Sequence, residues 1–274
     1  MTSGFCAINK ENMYKKIKSP LLSLLLVLLV FTACNKDKYF YDTGVHKAEY
    51  DGSILSYLKS KPVYFDSLVR VINLAGMNDI YEKENLTFFA PPSALVHKSV
   101  MRLNQYLKFN GRDTVSQLDQ IKPAVWRQML ALYTFKGANR LKDYQQIDTN
   151  SILAFPGQGY QGYGNLNENL NRTMNIGVVF NDAAGVKYAG YRQVVLSYIT
   201  DLSQPTRFLN YAQVASSDIA PNNGIIHALN ILGIETYREK VGEALKTRRY
   251  PLYFGFDADE FVLLAVANGI SPKK

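Results

Sequence analysis

The sequence predicts an α+β protein with helices gathered in its first half, strands in its second half and a short α/β piece at the C-terminus. Three observations carry this. From Asp51 to Tyr133 apolar residues recur at i, i+3, i+4 and i+7, the period of helices covering a core. From Met174 to Val214 short runs rich in Val, Ile and Tyr alternate with Asn/Gly turns. Then the cluster Pro221-Asn222-Asn223-Gly224 runs straight into Ile225-Ile226-His227-Ala228-Leu229-Asn230-Ile231-Leu232-Gly233, which reads as a tight turn feeding a central, buried strand.

The first segment reads as a targeting signal. Lys15, Lys16 and Lys18 precede Pro20 and an apolar run from Leu21 to Phe31, too short to span a bilayer comfortably but suited to a signal-peptide core. The run ends Phe31-Thr32-Ala33-Cys34, which resembles a bacterial lipobox, in which small residues precede a Cys that is acylated on its thiol and becomes residue one. Residues 1–33 are thus expected to be removed, with Met13 the more typical start, and Cys34 to carry the lipid. Each buried methylene of an acyl chain contributes on the order of 0.8 kcal/mol, so two or three chains anchor stably. Residues 34–49 then form a polar lipidated tether, and the outer membrane or the cell surface is the expected destination.

Removing residues 1–33 takes away four Lys and one Glu, so formal charge falls from +8 to +5. Arg238, Lys240, Lys246, Arg248 and Arg249 cluster late in the chain without an interleaved aromatic motif, which favours a solvated face over a nucleic-acid partner. Besides Cys34 the only cysteine is Cys6, within the expected signal, so the mature chain forms no disulfide and rests on packing.

In order, Asp51 or Ser53 can cap a short helix through Leu58; Pro62 interrupts, and a second helix carries Phe65, Leu68, Val69 and Ile72 on one face until Gly76. Leu86 to Ala90 is a strand stopped by Pro91-Pro92, and an amphipathic helix follows from Val96 to Leu107. Pro123 suits the first turn of a helix bearing Val125, Trp126, Met129, Leu130 and Tyr133. Trp126, the single Trp, lies on that apolar stripe and reads as core, not as a sugar platform.

The stretch Phe155 to Asn175 is rich in Gly and Asn and reads as a loop. Gly157, Gly159 and Gly162 match G-x-G-x-x-G, but no helix opens at the last Gly to bring amides to a pyrophosphate, so no dinucleotide or other cofactor is expected. A hairpin or Ω-type loop presenting Tyr160, Tyr163 and Asn165 to a ligand fits better: Tyr gives flat apolar faces with polar tips, and Asn gives paired donors and acceptors. Beyond it, Met174–Phe180 and Val186–Ile199 form a hairpin, and Phe208–Val214 leads to the central turn. The end of the chain reads as a basic helix near Glu239–Arg249, an aromatic strand Tyr250–Phe256 and a helix from Asp257 to Asn268. Its Phe261, Leu264 and Ala265 require packing on the main domain, because so short a piece buries no core of its own.

Leu86-Thr87-Phe88-Phe89-Ala90-Pro91-Pro92-Ser93 and Asn223-Gly224-Ile225-Ile226-His227 resemble the two conserved blocks of the fasciclin-type (FAS1) adhesion domain, in the right order. Leu130-Ala131-Leu132-Tyr133-Thr134-Phe135 resembles the segment between them, with Thr134 where the family has His. Pro92 and Ser93 depart from the usual Thr and Asn or Asp. The resemblance covers residues 50–233 and implies a β-sandwich with N-terminal helices packed on it, extended here by residues 234–274. It also implies a cell-envelope binding or adhesion role, with polysaccharide or an envelope protein as the partner, accessory to outer-membrane glycan uptake.

The search for chemistry leaves little. No G-x-S-x-G elbow, H-E-x-x-H pair or Walker loop occurs, and His46, His97 and His227 are scattered, so no metal site is expected. His227 reads as a buried imidazole hydrogen-bonded to backbone or carboxylate. Asp257, Asp259 and Glu260 lack the Gly and distal Glu of a calcium loop and suit a helix N-terminus. A binding module with no catalytic residues is the favoured class. An envelope glycan hydrolase, its two carboxylates paired only in space, is the alternative.

Overall fold

The turn at Asn222 and Asn223 joins the two longest strands, Leu209–Pro221 (β7) and Gly224–Tyr237 (β8). The computed structural model describes residues 48–271, apart from 165–172, 200, 202, 204–208, 238–239, 241 and 245. The chain divides into Met1–Lys47 and Ala48–Lys274, and every described residue belongs to the second unit. The expected signal peptide, Cys34 and nearly all of the tether therefore lie outside the described residues, as does Asn165.

The class is α+β. After Glu49–Tyr50 (β1) come helices Ile54–Ser60 (α1), Pro62–Leu74 (α2) and Asn78–Lys83 (α3), strand Leu86–Ala90 (β2), and helices Ser93–Phe109 (α4) and Pro123–Ala131 (α5). Thr134–Lys136 (β3), Gln158–Gln161 (β4), Thr173–Phe180 (β5) and Arg192–Ile199 (β6) precede β7 and β8. Lys246–Pro251 (β9) and Ala258–Asn268 (α6) complete the order.

Local chemistry accounts for the helix starts. The Ser53 hydroxyl accepts the Ser56 N–H at 3.0 Å, capping α1, and Pro62 and Pro123 sit in the first turns of α2 and α5, where a missing N–H costs nothing. Asp257 caps α6 by accepting the Asp259 and Glu260 amides at 2.9 and 3.1 Å. The helix α3 went unread because its six residues bury only Tyr81.

The strands hydrogen-bond in the order β3-β2-β8-β7-β6-β5-β4, with β1 added to β7 and β9 to β8. The sheet is mixed: β2 runs parallel to β8 and β1 parallel to β7, and the other pairs are antiparallel. The strands thus lie on one continuous path. Just past β4 the Tyr163 N–H donates to the Thr134 carbonyl in β3 at 2.7 Å, so the ends of the path meet and the sheet is nearly a barrel.

Five readings are corrected. Residues 158–161 are a strand paired with β5, because Gly159 and Asn175 face each other where a small residue is needed: a Cβ on Gly159 would press on Thr173. The strand expected from Val186 begins at Arg192, since residues 181–191 fold into a tight loop. The strand expected to end at Val214 continues to Pro221 through three register irregularities against β8. The expected basic helix near Glu239–Arg249 contains the strand β9, which pairs with β8 from Leu232↔Pro251 to Tyr237↔Lys246. Of the expected aromatic strand only Tyr250 and Pro251 are in it. The division expected after Gly233 falls inside β8.

Phe254 and Phe256, past the end of β9, and Phe261 on α6 are buried in the core, the last as its apolar helix face predicted. Trp126 is fully buried 5.6 Å from the Phe261 ring and donates its indole N–H to the Leu118 carbonyl at 3.2 Å. It is core, and so closed to a sugar.

Candidate functional site

The three stretches that resemble fasciclin-type blocks contribute to adjacent strands, the middle one only through Thr134 and Phe135 after its start in α5. In register, β2 faces β3 at Thr87↔Phe135 and Phe88↔Thr134, and faces β8 at Thr87↔Ile225, Phe88↔Ile226 and Phe89↔His227. Every residue of β2 is buried, which explains its unbroken apolar run between two neighbours.

His227 is wholly buried in this group. Its Nδ1 accepts the Asp218 N–H at 3.4 Å and its Nε2 donates to the Asn139 carbonyl at 3.1 Å, with the Phe89 ring 4.9 Å away. Burial lowers its pKa to about 4 against the opposing pull of the Asn139 carbonyl and the Asp218 carboxylate, 4.0 Å away. Neutral and satisfied, it is the hydrogen-bonded imidazole that the sequence suggested.

Tyr133 and Thr134 are closed as well. The Tyr133 hydroxyl accepts the Gly255 N–H at 2.8 Å beneath the rings of Phe254 and Phe256, and burial raises its pKa. Thr134, at the position of the family's His, is buried with its hydroxyl 2.7 Å from that of Tyr81 and donating to the Leu130 carbonyl at 2.9 Å.

Tyr160 and Tyr163 flank the seam where the sheet closes. Tyr160 is half-buried: its ring meets Tyr144 and Phe135 edge-on at 5.6 and 6.3 Å, and its hydroxyl donates to the Gln158 side chain at 3.3 Å. Tyr163 donates its hydroxyl to both Glu84 carboxylate oxygens, at 2.8 and 2.9 Å, and Lys136 Nζ stands 6.0 Å from its ring. Burial, and then the Glu84 carboxylate, push the Tyr163 pKa up to about 12. The two rings thus belong to a fixed surface with a carboxylate, an ammonium and two phenols, not to a free loop. Such a mixture suits a hydroxyl-rich ligand, which offers donors, acceptors and apolar C–H faces.

A second pair of loops, which the sequence reading passed over, is more exposed. Residues 181–191 lie against residues 148–156: the Tyr188 hydroxyl donates to the Asp148 carboxylate at 2.7 Å, and its ring meets Phe155 edge-on at 5.5 Å. The available signal was the run Ala183-Ala184-Gly185-Val186-Lys187-Tyr188-Ala189-Gly190-Tyr191, in which small residues permit tight turns around two Tyr.

Among the described residues no group of three or more His, Cys, Asp or Glu could hold a metal ion, and no helix is long and apolar enough to cross a membrane. In comparisons with known proteins, no protein-family model matches the chain, and no curated protein matches it.

Proposed function

We propose that this chain is a fasciclin-type binding or adhesion module of the cell envelope, held to the outer membrane or cell surface by lipid on Cys34. It recognises a polysaccharide or a partner protein, as an accessory of outer-membrane glycan uptake. The observation that supports this most is the adjacency of β3, β2 and β8: three stretches separated by tens of residues in sequence, each picked out by resemblance to one family, lie side by side in register. In this reading the sheet is the family's sandwich, and α1 to α5 are the helices packed on it.

The ligand-binding face is the one bearing Tyr160 and Tyr163, with Asn165 following in the chain. Glu84 and Lys136 supply charge-assisted hydrogen bonds there, and the phenol rings supply C–H contacts. The face requires no cofactor.

Membrane fractionation of wild type and Cys34→Ser tests the anchor. Wild type is expected in the membrane fraction with a diacylated or triacylated Cys34 as first residue by mass spectrometry, and Cys34→Ser unprocessed or released. A mature N-terminus elsewhere, with membrane association intact, overturns it. A panel of glycans and esters separates binding from catalysis: turnover abolished by one Asp or Glu substitution would establish a hydrolase instead.

A further inference from the structure

We propose that the loop pair 148–156 and 181–191 is a second, shallow contact of the folded unit with the bilayer surface, next to the point where the chain joins that unit. The inference rests on the lipid-anchor reading and adds a docked orientation to it.

Three large apolar side chains project from this loop pair: Leu153 is 94% exposed, Val186 59% and Tyr191 68%. Comparably exposed apolar residues stand on helices, Val63 at 88% and Phe109 at 91%, but these three are set on two loops packed against one another, and such a group marks an interaction site. Leu153 and Val186 offer no hydrogen bond, which argues against a sugar and for hydrocarbon.

The loops are held in shape instead of hanging free. Tyr188 has a left-handed backbone (φ 63°), unfavourable for an aromatic residue, and is fixed there by its N–H to the Asp182 carboxylate at 2.9 Å and its hydroxyl to Asp148. The Asn181 side chain donates to the Tyr191 carbonyl at 3.0 Å, and the Gly190 N–H donates to the Asn181 carbonyl at 2.6 Å. A Cβ on Gly190 would press on the carbonyls of Asn181 and Asp182, so the tight turn requires glycine. This scaffold keeps Val186 and Tyr191 outward. Two cations border them: Lys187, its side chain 61% exposed with Nζ 4.0 Å from the Asp148 carboxylate, and exposed Arg192, which lies over the Phe180 ring at 4.3 Å. Aliphatic and Tyr side chains rimmed by Lys and Arg match the apolar-to-anionic boundary of a lipid headgroup layer.

Position decides the occupant. The loop 181–191 ends where β6 begins, and there the Gln193 side chain donates to the Val214 carbonyl of β7 at 3.0 Å. A few residues further along β7, β8 occupies one edge (Ile219↔Ile226), and β1 takes the other (Glu49↔Ala220), the edge that β6 has just left. The chain therefore joins the folded unit beside the base of the exposed loop. Thirteen residues separate Cys34 from Ala48, a reach of at most about 45 Å. An acylated Cys34 thus keeps Ala48, and with it the base of the loop, within that reach of the bilayer.

The test uses Ala48–Lys274, a compact unit whose described buried core runs from Ile54 to Ala265 and which contains no Cys. A hexahistidine replaces residues 1–47 and tethers the unit to phosphatidylcholine/phosphatidylglycerol vesicles containing nickel-chelating lipid. Leu153→Cys or Leu263→Cys carries a fluorophore as the only thiol adduct. Leu263 is the control: it is 65% exposed on α6, whose Glu260 accepts the Tyr198 hydroxyl near the opposite end of β6. Brominated acyl chains are expected to quench the Leu153 probe at least threefold more than the Leu263 probe, and Val186→Ser with Tyr191→Ser to remove the difference. Equal quenching at both sites, no quenching at either, or protection of the Leu153 probe that rises with protein concentration in the absence of vesicles overturns the proposal. The last outcome would mark a contact between copies. Because the nickel lipid replaces Cys34, failure of the acylation reading leaves this result unaffected, and failure here leaves the Cys34→Ser fractionation intact.

Discussion

Gly224 lies so close to Leu86 that a Cβ on it would overlap the Leu86 carbonyl oxygen, where β8 and β2 begin their parallel pairing. Gly224→Ala must push apart two strands buried in the core, and Gly224→Val must do so further. A loss of about 3 kcal/mol or more is expected for Ala, from backbone displacement and lost packing together. Urea denaturation checks it. A midpoint equal to that of wild type would show that the strands can separate there without cost.

Asn223, one residue earlier, ties the hairpin to the helices. Its Oδ1 accepts the Ile54 N–H at 2.8 Å, and its Nδ2 donates to the carbonyls of Tyr81 and Glu84 at 3.1 and 3.0 Å. One amide thus satisfies the first turn of α1 and the end of α3. Asn223→Ala is expected to cost roughly 2–4 kcal/mol, and Asn223→Asp to recover only part, since it keeps the acceptor and loses both donors. Hydrogen exchange of the Ile54 amide should accelerate in Asn223→Ala with stability matched by temperature. Unchanged protection would contradict this role.

The burial of neutral His227 makes stability depend on pH. Its pKa falls from an ordinary 6.5 to about 4, so between these values the unfolded chain binds a proton that the folded chain does not. Stability is therefore complete above about pH 6.5 and declines as pH falls toward 4, by roughly 3 kcal/mol at most from this group. His227→Gln should flatten that part of the profile relative to wild type. The same slope in both proteins between pH 6.5 and 4 would show that His227 does not carry it.

Tyr163 has a structural share and, in the proposed function, a ligand-binding share, separable by substitution. Tyr163→Phe removes the bond to Glu84 but keeps the ring, costing about 1 kcal/mol at this partly exposed site. Binding through C–H stacking should survive in Phe and vanish in Tyr163→Ala. Loss of binding in both would assign recognition to the hydroxyl instead of the ring.

Helices with a clear apolar stripe and a capping Ser or Pro were legible in the sequence, as were β2 and the turn into β8, because each is defined within a few neighbouring residues. The interior position of Trp126 and the satisfied state of His227 followed from the same local reasoning. What was hidden depends on partners distant in sequence. Residues 158–161 are extended only because β5 offers them an edge, with Gly159 opposite Asn175, and Lys246–Pro251 is extended because β8 continues past Gly233 and offers it an edge. Gly224 was expected for a turn backbone, and its φ of 155° agrees, but the closeness of Leu86, which also demands glycine, was not legible. For the site, the sequence singled out Tyr160 and Tyr163 but not Glu84, 79 residues before Tyr163, which fixes the Tyr163 hydroxyl. Residues 186–191 were read as the start of a strand, since nothing local announces that Tyr188 reaches Asp148, 40 residues away, and holds them in a loop.

The most direct test of a binding module is a glycan array probed with the unit Ala48–Lys274 and with its Tyr160→Ala, Tyr163→Ala variant, alongside a pull-down from envelope extract. Saturable binding of one polysaccharide class or one envelope protein is expected, lost at least tenfold in the variant at a temperature where both proteins remain folded. Binding that is identical in the two proteins, or no binding in either format, would contradict the assignment of recognition to the Tyr160–Tyr163 face.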